Sequence, residues 1–298
     1  MSIRLEMLQV ARLAPKLLGD SAELVRGFLC QQLGDDGGFQ DRAGKSDLYY
    51  TVFGLDALLA LQATLPLDRV RVYLESFGEG ANLDLVHACC LARAWAALAN
   101  AGAAGAKSGP RAAILSRVEE FRTADGGYHV LPGSPSGTVY GGFLALGAFQ
   151  DLQQAMPEPW RMVQALKLLE TPDGAWANER GVRAGSTTAT AAAVTLLRHL
   201  GAPVSQSVAG WLKARAHGQG GFLAMPNAPL PDLLSTATAL HALAGMQEAL
   251  ELGVREACLD FIDTLWTNQG GFHGHWGDDI LDVEYTFYGL LALGHLSL

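Results

Sequence analysis

Two kinds of apolar segment alternate along this chain, and a glycine turn followed by a polar loop separates the first kind from the second. Segments of the first kind, at 22–33, 70–77, 111–122, 160–170, 205–216 and 254–266, carry apolar residues at three- and four-residue spacing. Charges such as Arg26, Arg117, Arg161, Lys213 and Arg255 occupy their other side, so they predict amphipathic helices in a half-wet layer. Segments of the second kind, at 48–62, 85–98, 138–149, 187–200, 233–246 and 283–296, are apolar almost all round. A helix without a polar face must be covered on all sides or line a dry cavity, so these belong inside.

The junction between the two kinds is the repeated element. Gly37-Gly38, Gly126-Gly127, Gly174-Ala175, Gly220-Gly221 and Gly270-Gly271 each stand after an amphipathic segment, with a degraded copy at Gly78-Glu79-Gly80-Ala81. Glycine ends a helix because it accepts the left-handed conformation without steric penalty. The interval is roughly 45 residues, a period that marks stacked supersecondary units. Six repeats, each an outer and an inner helix, predict an all-α fold, a closed α-α barrel in which the last repeat packs beside the first. Residues 1–298 then form one domain, the stretch 101–109 is a loop between repeats, and residues 1–18 are an amphipathic first helix.

Composition narrows the function. The chain is 49% hydrophobic and 17% charged with a formal charge of -9, and no Lys/Arg cluster offers nucleic-acid phosphate a basic face. The apolar runs fall well short of the roughly 20 residues that cross a bilayer. Residues 1–18 lack a compact apolar block with a cleavage site, so a cytoplasmic protein is expected. Cys30, Cys89, Cys90 and Cys258 are expected as reduced thiols, since Cys89 and Cys90 are adjacent and poor disulfide partners.

Aligning the inner helices on their starts brings out candidate chemistry. The starting residues are read as Asp47, Asp84, Ser134, Ala184, Asp232 and Asp282, and Asp is a favoured N-cap. Three residues later stand Tyr50, His87, Gly137, Thr187, Ser235 and Tyr285, and six later Phe53, Cys90, Tyr140, Thr190, Thr238 and Tyr288. Positions three apart share a helix face, which predicts a cavity with one aromatic wall and polar atoms at its mouth. Nine residues after the start, Asp56 and Arg93 match in neighbouring repeats and predict a lateral ion pair, because an interior charge needs a partner.

The six-fold glycine turn, loop and apolar helix resembles the repeat of the protein prenyltransferase β subunits and the squalene-hopene cyclases. In the prenyltransferases one repeat carries Arg-x-x-Lys and then Asp-x-Cys-Tyr; this chain is similar at Arg42-Ala43-Gly44-Lys45 and Asp47-Leu48-Tyr49-Tyr50. By that resemblance Arg42, Lys45 and Tyr50 would hold the diphosphate of an isoprenoid donor, whose tail would lie along Phe53, Tyr140, Tyr285 and Tyr288. The resemblance also implies zinc, with Asp47 and, from Asp84-Leu85-Val86-His87, His87 as ligands. The family's ligating Cys is here Tyr49, and a phenol is a poor zinc ligand, so Cys90 one turn beyond His87 is the substitute expected to complete the set. The cyclases protonate their substrate through Asp-x-Asp-Asp. Here Pro231-Asp232-Leu233-Leu234-Ser235-Thr236-Ala237 keeps the frame but not the second and third acids, and the chain is about half the size of such a cyclase. Expected partners are therefore an isoprenoid diphosphate or another apolar small molecule and, by family resemblance, a separate α-subunit-like protein. The other reading is a non-catalytic lipid-binding or interaction barrel.

Overall fold

The structure, a computed structural model, describes residues 1–102 and 109–298, so most of the loop expected at 101–109 lies outside the described residues. After α1 (Ile3–Ala11) and α2 (Pro15–Leu18), outer and inner helices alternate. The outer ones are α3 (Ser21–Gln31), α5 (Leu67–Glu75), α7 (Arg111–Glu119), α9 (Pro159–Lys167), α11 (Ser207–Lys213) and α13 (Leu252–Leu265). The inner ones are α4 (Leu48–Ala60), α6 (Leu85–Asn100), α8 (Val139–Asp151), α10 (Thr187–His199), α12 (Leu233–Gly245) and α14 (Val283–Leu296). Each inner helix packs on the next, and α14 returns to α4, so the ring is closed. The fold is the all-α barrel that the alternation of segments predicts. A short antiparallel pair, β1 (Phe222–Leu223) with β2 (Pro231–Asp232), ties one loop to the helix it precedes.

Every inner helix starts at a capped residue. Asp47, Asp84, Asp232 and Asp282 accept backbone N–H groups of their first turns, as Asp caps should. In the third and fourth repeats the caps are Thr138 and Ser186, which corrects the starts read at Ser134 and Ala184. A hydroxyl does the work of the carboxylate there, and without an Asp the start is not marked by residue type. Spacing from the turn does mark it: Thr138, Ser186, Asp232 and Asp282 follow Gly127, Ala175, Gly221 and Gly271 at one interval.

A threonine one turn after the cap fastens loop to helix. Thr51, Thr236 and Thr286 donate to the carbonyls of Asp47, Asp232 and Asp282 at 2.6, 2.7 and 2.6 Å. The same hydroxyls accept the N–H of the turn aromatics Phe39, Phe222 and Phe272. Those aromatics are fully buried, and the ring of Phe39 lies where a Cβ on Gly54 would be. The turn also binds each repeat to the next. Gly37 has φ +96°, and a Cβ on it would overlap the carbonyl of Arg69 in the next outer helix; Gly270, at +92°, meets Leu24 of the first outer helix in the same way.

The N-terminal segment is not another outer helix. Helix α1 lies across the end of the barrel where the inner helices finish, packed on α4, α8 and α14. Ser2 Oγ donates to Asp151 at 3.0 Å, the Ile3 amide to Gln150 at 2.9 Å, and Arg12 Nε to the Leu59 carbonyl at 3.4 Å. Its Ile3, Arg4, Met7, Leu8 and Ala11 are buried, so its apolar stripe closes the ring from below. Among the described residues no helix is long and apolar enough to cross a membrane, and Cys30, Cys89, Cys90 and Cys258 are free thiols.

Candidate active site

The ring encloses a cavity of about 380 Å³. Counting from the true caps shows how its wall is made. Phe53, Cys90, Leu144, Ala192, Thr238 and Tyr288, each six residues after its cap, all line it. So do Tyr49, Tyr140, Thr188, Leu234 and Glu284, each two residues after the cap and therefore nearest the mouth. Seven residues further along an inner helix is roughly 10 Å deeper at 1.5 Å per residue. At that depth stand Arg93 and His241, and below them Ile3, Arg4 and Met7 of α1 with Asp151 form the floor.

Of the residues read as a lipid wall, Phe53, Tyr140 and Tyr288 line the cavity. Tyr50 and Tyr285 do not: they stand three residues after their caps, and the inward row is one residue earlier, so their rings turn toward neighbouring loops. Phe53 meets Tyr49 edge-on with centroids 5.0 Å apart and lies 5.5 Å from Tyr288. Such contacts hold an aromatic wall rigid.

The pair that sequence reasoning missed is Tyr49 and Glu284. Tyr49 Oη donates to Glu284 Oε1 at 2.6 Å across the ring seam between the first and last repeats. Burial raises the Glu284 carboxyl to about 7, a shift that the Tyr49 hydrogen bond opposes. Among the lining residues the acids are Glu284 and Asp151. Asp151 stands 3.5 Å from Arg4 Nε, whereas Glu284 has no ion-pair partner among the described residues. A carboxyl near neutrality that faces an apolar cavity is a candidate proton donor. Tyr49, the residue in place of the resembling family's Cys, is the signal that could have led to this spot.

The floor is ionic. Asp56 Oδ1 accepts from Arg4 Nη1 at 2.9 Å and Asp56 Oδ2 from Arg93 Nε and Nη2 at 2.8 and 2.6 Å. The expected Asp56 to Arg93 pair exists, and Arg4 of α1 makes it a triad. Nearby Glu6 is held at about 2, chiefly by its hydrogen bond with His199, against the effect of burial and with help from Arg198.

The residues read as a diphosphate clamp are elsewhere. Arg42 Nε donates to Asp282 at 2.6 Å, its Nη1 and Nη2 grip Asp278 at 3.1 and 2.8 Å, and its guanidinium lies over the Tyr285 ring. It joins the first loop to the last and does not line the cavity. Lys45 is exposed on the same loop and does not line it either.

The expected zinc set is not assembled. His87 Nε2 lies 3.2 Å from Asp47 Oδ2 and His87 Nδ1 lies 2.9 Å from Asp84, so both ring nitrogens already have carboxylate partners. Burial works against protonation of His87, but the hydrogen bonds to Asp84 and Asp47 outweigh it and raise its pKa. Cys90 faces the cavity, and burial pushes its thiol up to about 12, away from the thiolate that binds metal. Among the described residues no group of three His, Cys, Asp or Glu side chains is placed to hold a metal ion. Asp232, which survives from the cyclase frame, caps its helix by accepting from Ser235 N and Oγ at 2.7 Å and does not line the cavity.

The sequence matches the prenyltransferase alpha-alpha toroid domain over residues 7–92 and 190–296. The chain belongs to that family. No curated protein sequence matches this toroid significantly. Among solved structures it is similar to a variant of the type II terpene cyclase MstE from Scytonema in complex with geranylgeranyl dihydroxybenzoate, with a TM-score of 0.60 and 13% identity over 95% of this chain and 97% of that one. A protein from Actinoplanes aligns with a TM-score of 0.61 and 17% identity over 93% and 98%. A polysaccharide lyase aligns with 0.62 and 12% over 98% and 97%. At such identities the likeness is one of fold. The near end-to-end coverage of both chains also shows that the MstE fold is about the length of this one.

Proposed function

We propose that this toroid binds a branched isoprenoid chain in its central cavity and acts on it by acid–base catalysis, with Glu284 as the proton donor. The observation that carries the reading is the aromatic wall of Tyr49, Phe53, Tyr140, Phe143 and Tyr288 with one carboxyl set into it that has no ion pair among the described residues. A cavity of about 380 Å³ suits a small apolar ligand. Complexes of MstE with geranylgeranyl dihydroxybenzoate and with merosterolic acid A place ligands of this class in the same fold. An acid with a pKa of about 7 is matched to an oxygen function, such as an epoxide or an alcohol, better than to an isolated alkene.

Prenyl transfer from a diphosphate donor is the finer alternative, and it rests on Arg42, Lys45 and Tyr50. With Arg42 engaged by Asp278 and Asp282, and Glu284 in the wall near the mouth, an isoprenoid without a diphosphate is the better ligand. Titration calorimetry with geranylgeraniol and geranylgeranyl diphosphate, followed by incubation with geranylgeraniol and its terminal epoxide and mass spectrometry of products, tests both. The expected result is tighter binding of the alcohol and turnover that Glu284→Gln abolishes while binding persists. Diphosphate binding at least tenfold tighter and lost in Arg42→Ala favours the transferase. Binding without turnover favours a carrier.

A further inference from the structure

The bottom of the cavity carries chemistry that a pure hydrocarbon does not need. Three basic side chains line it there: Arg93, Arg4 and His241. Arg4 and His241 are 2% and 5% exposed, and each has a buried nitrogen without a hydrogen bond among the described residues, Arg4 Nε and His241 Nε2. Arg4 Nε is 3.5 Å from Asp151 Oδ1 and His241 Nε2 is 3.5 Å from Glu6 Oε1, close enough for attraction but unbonded. An orphaned donor in a dry site costs stability unless a ligand atom or water meets it.

Both orphans are donors. His241 Nδ1 and His295 Nε2 are 3.0 Å apart, so one of them donates to the other. The Glu6 carboxylate next to His241 Nε2 favours the tautomer with hydrogen on that atom, which makes Nδ1 the acceptor. Burial lowers the pKa of His241 to about 4, so it donates as a neutral imidazole.

The charges around the floor leave room for one anion. Arg4 and Arg93 share Asp56, and Glu6 is matched separately by Arg198 and His199. The remaining acid is Asp151, which accepts from Ser2 and faces Arg4, Arg93 and Asp56. Burial raises its pKa despite the two arginines, and an anion entering beside it would raise it further, which favours proton uptake by Asp151 on binding.

Resting on the isoprenoid reading above, we infer that the floor is a carboxylate-binding subsite, and that the ligand is an isoprenoid acid seated head-down against Arg93, Arg4 and His241. Its chain then runs up the wall of Phe53 and Tyr288 and passes Glu284 and Tyr49 roughly 10 Å above the floor. The arrangement separates recognition at the floor from proton transfer near the mouth.

Calorimetry on the full chain with geranylgeranoic acid and geranylgeraniol, in phosphate and in Tris at the same pH, tests the inference. The acid should bind at least tenfold more tightly than the alcohol, and its apparent enthalpy should differ between the buffers, the sign of proton uptake by Asp151. His241→Leu and Arg93→Gln should each cut the preference for the acid at least fivefold and leave the affinity for the alcohol within about twofold. Equal affinities for acid and alcohol overturn the subsite while the isoprenoid reading stands. A preference that both variants retain places the head elsewhere and also overturns it. If neither ligand binds, the isoprenoid reading falls and takes the subsite with it.

Discussion

Replacing Glu284 by glutamine should make the protein more stable, and only at high pH. The carboxyl titrates near 7 in the folded chain against 4.5 in an exposed one, because burial disfavours its charged form. Between those values the folded chain holds a proton that the unfolded chain has lost. Stability therefore falls as pH rises through this window. A shift of this size at about 1.4 kcal/mol for each pH step amounts to about 3 kcal/mol above pH 8. Glutamine has nothing to ionise and still accepts the Tyr49 hydrogen bond. Urea unfolding of both proteins from pH 5 to pH 8.5 reads the effect: the two should agree within about 1 kcal/mol at pH 5 and diverge by about 3 kcal/mol at pH 8.5, the variant being the more stable. A difference that does not vary with pH would refute the buried, unpaired carboxyl and with it the proton donor. Turnover by the parent protein should fall over the same window as the donor ionises.

Gly54→Ala drives a methyl into the Phe39 ring, which is locked in the turn, and should cost about 1–3 kcal/mol in urea unfolding. Arg42→Ala deprives the 2% exposed Asp282 of its cation, but Arg42 is itself a third exposed, so the loss should be about 1–2 kcal/mol. Geranylgeraniol affinity should stay within twofold in that variant; a larger loss by calorimetry would put Arg42 at the ligand. Protein dialysed against a chelator should retain well under one equivalent of zinc by plasma mass spectrometry, and a full retained equivalent would contradict the partnering of His87.

The helices and their order were legible because a glycine marks where each outer helix stops and, in four of the six repeats, a capping carboxylate marks where the inner one starts. Where Thr138 and Ser186 cap instead, residue type was silent, although distance from the glycine turn was not. Of the two rows read as facing inward, the deeper one, with Phe53, Cys90, Thr238 and Tyr288, does so, and the one nearer the mouth was misread by a single position. Caps at residues 47 and 282 put Tyr49 and Glu284, not Tyr50 and Tyr285, toward the hole, and 100° of helix rotation is enough to move an aromatic from a cavity to a loop. Helix α1 was legible as amphipathic, but periodicity does not say which surface an apolar stripe will cover. The floor it builds with Arg4 was therefore hidden. Glu284 was visible as a carboxylate at the position of the resembling family's Cys, but its role was not: a carboxylate acquires its character from what surrounds it, and its partner Tyr49 lies at the other end of the chain.

The contact between Gly270 and Leu24 is built like the contact between Gly37 and Arg69, so the circle has no first or last member. Open solenoids fray from their tips and need special end repeats to stay soluble. This protein has no tips, and fraying at any one repeat must break two neighbours at once. Joining residues so distant along the chain is also its slowest loop closure to form. Cutting the chain within another polar loop, linking the old ends and keeping α1 seated should give a permuted protein that melts in one transition, the same number expected of the parent. Deleting a single repeat should instead leave a horseshoe that unfolds in stages.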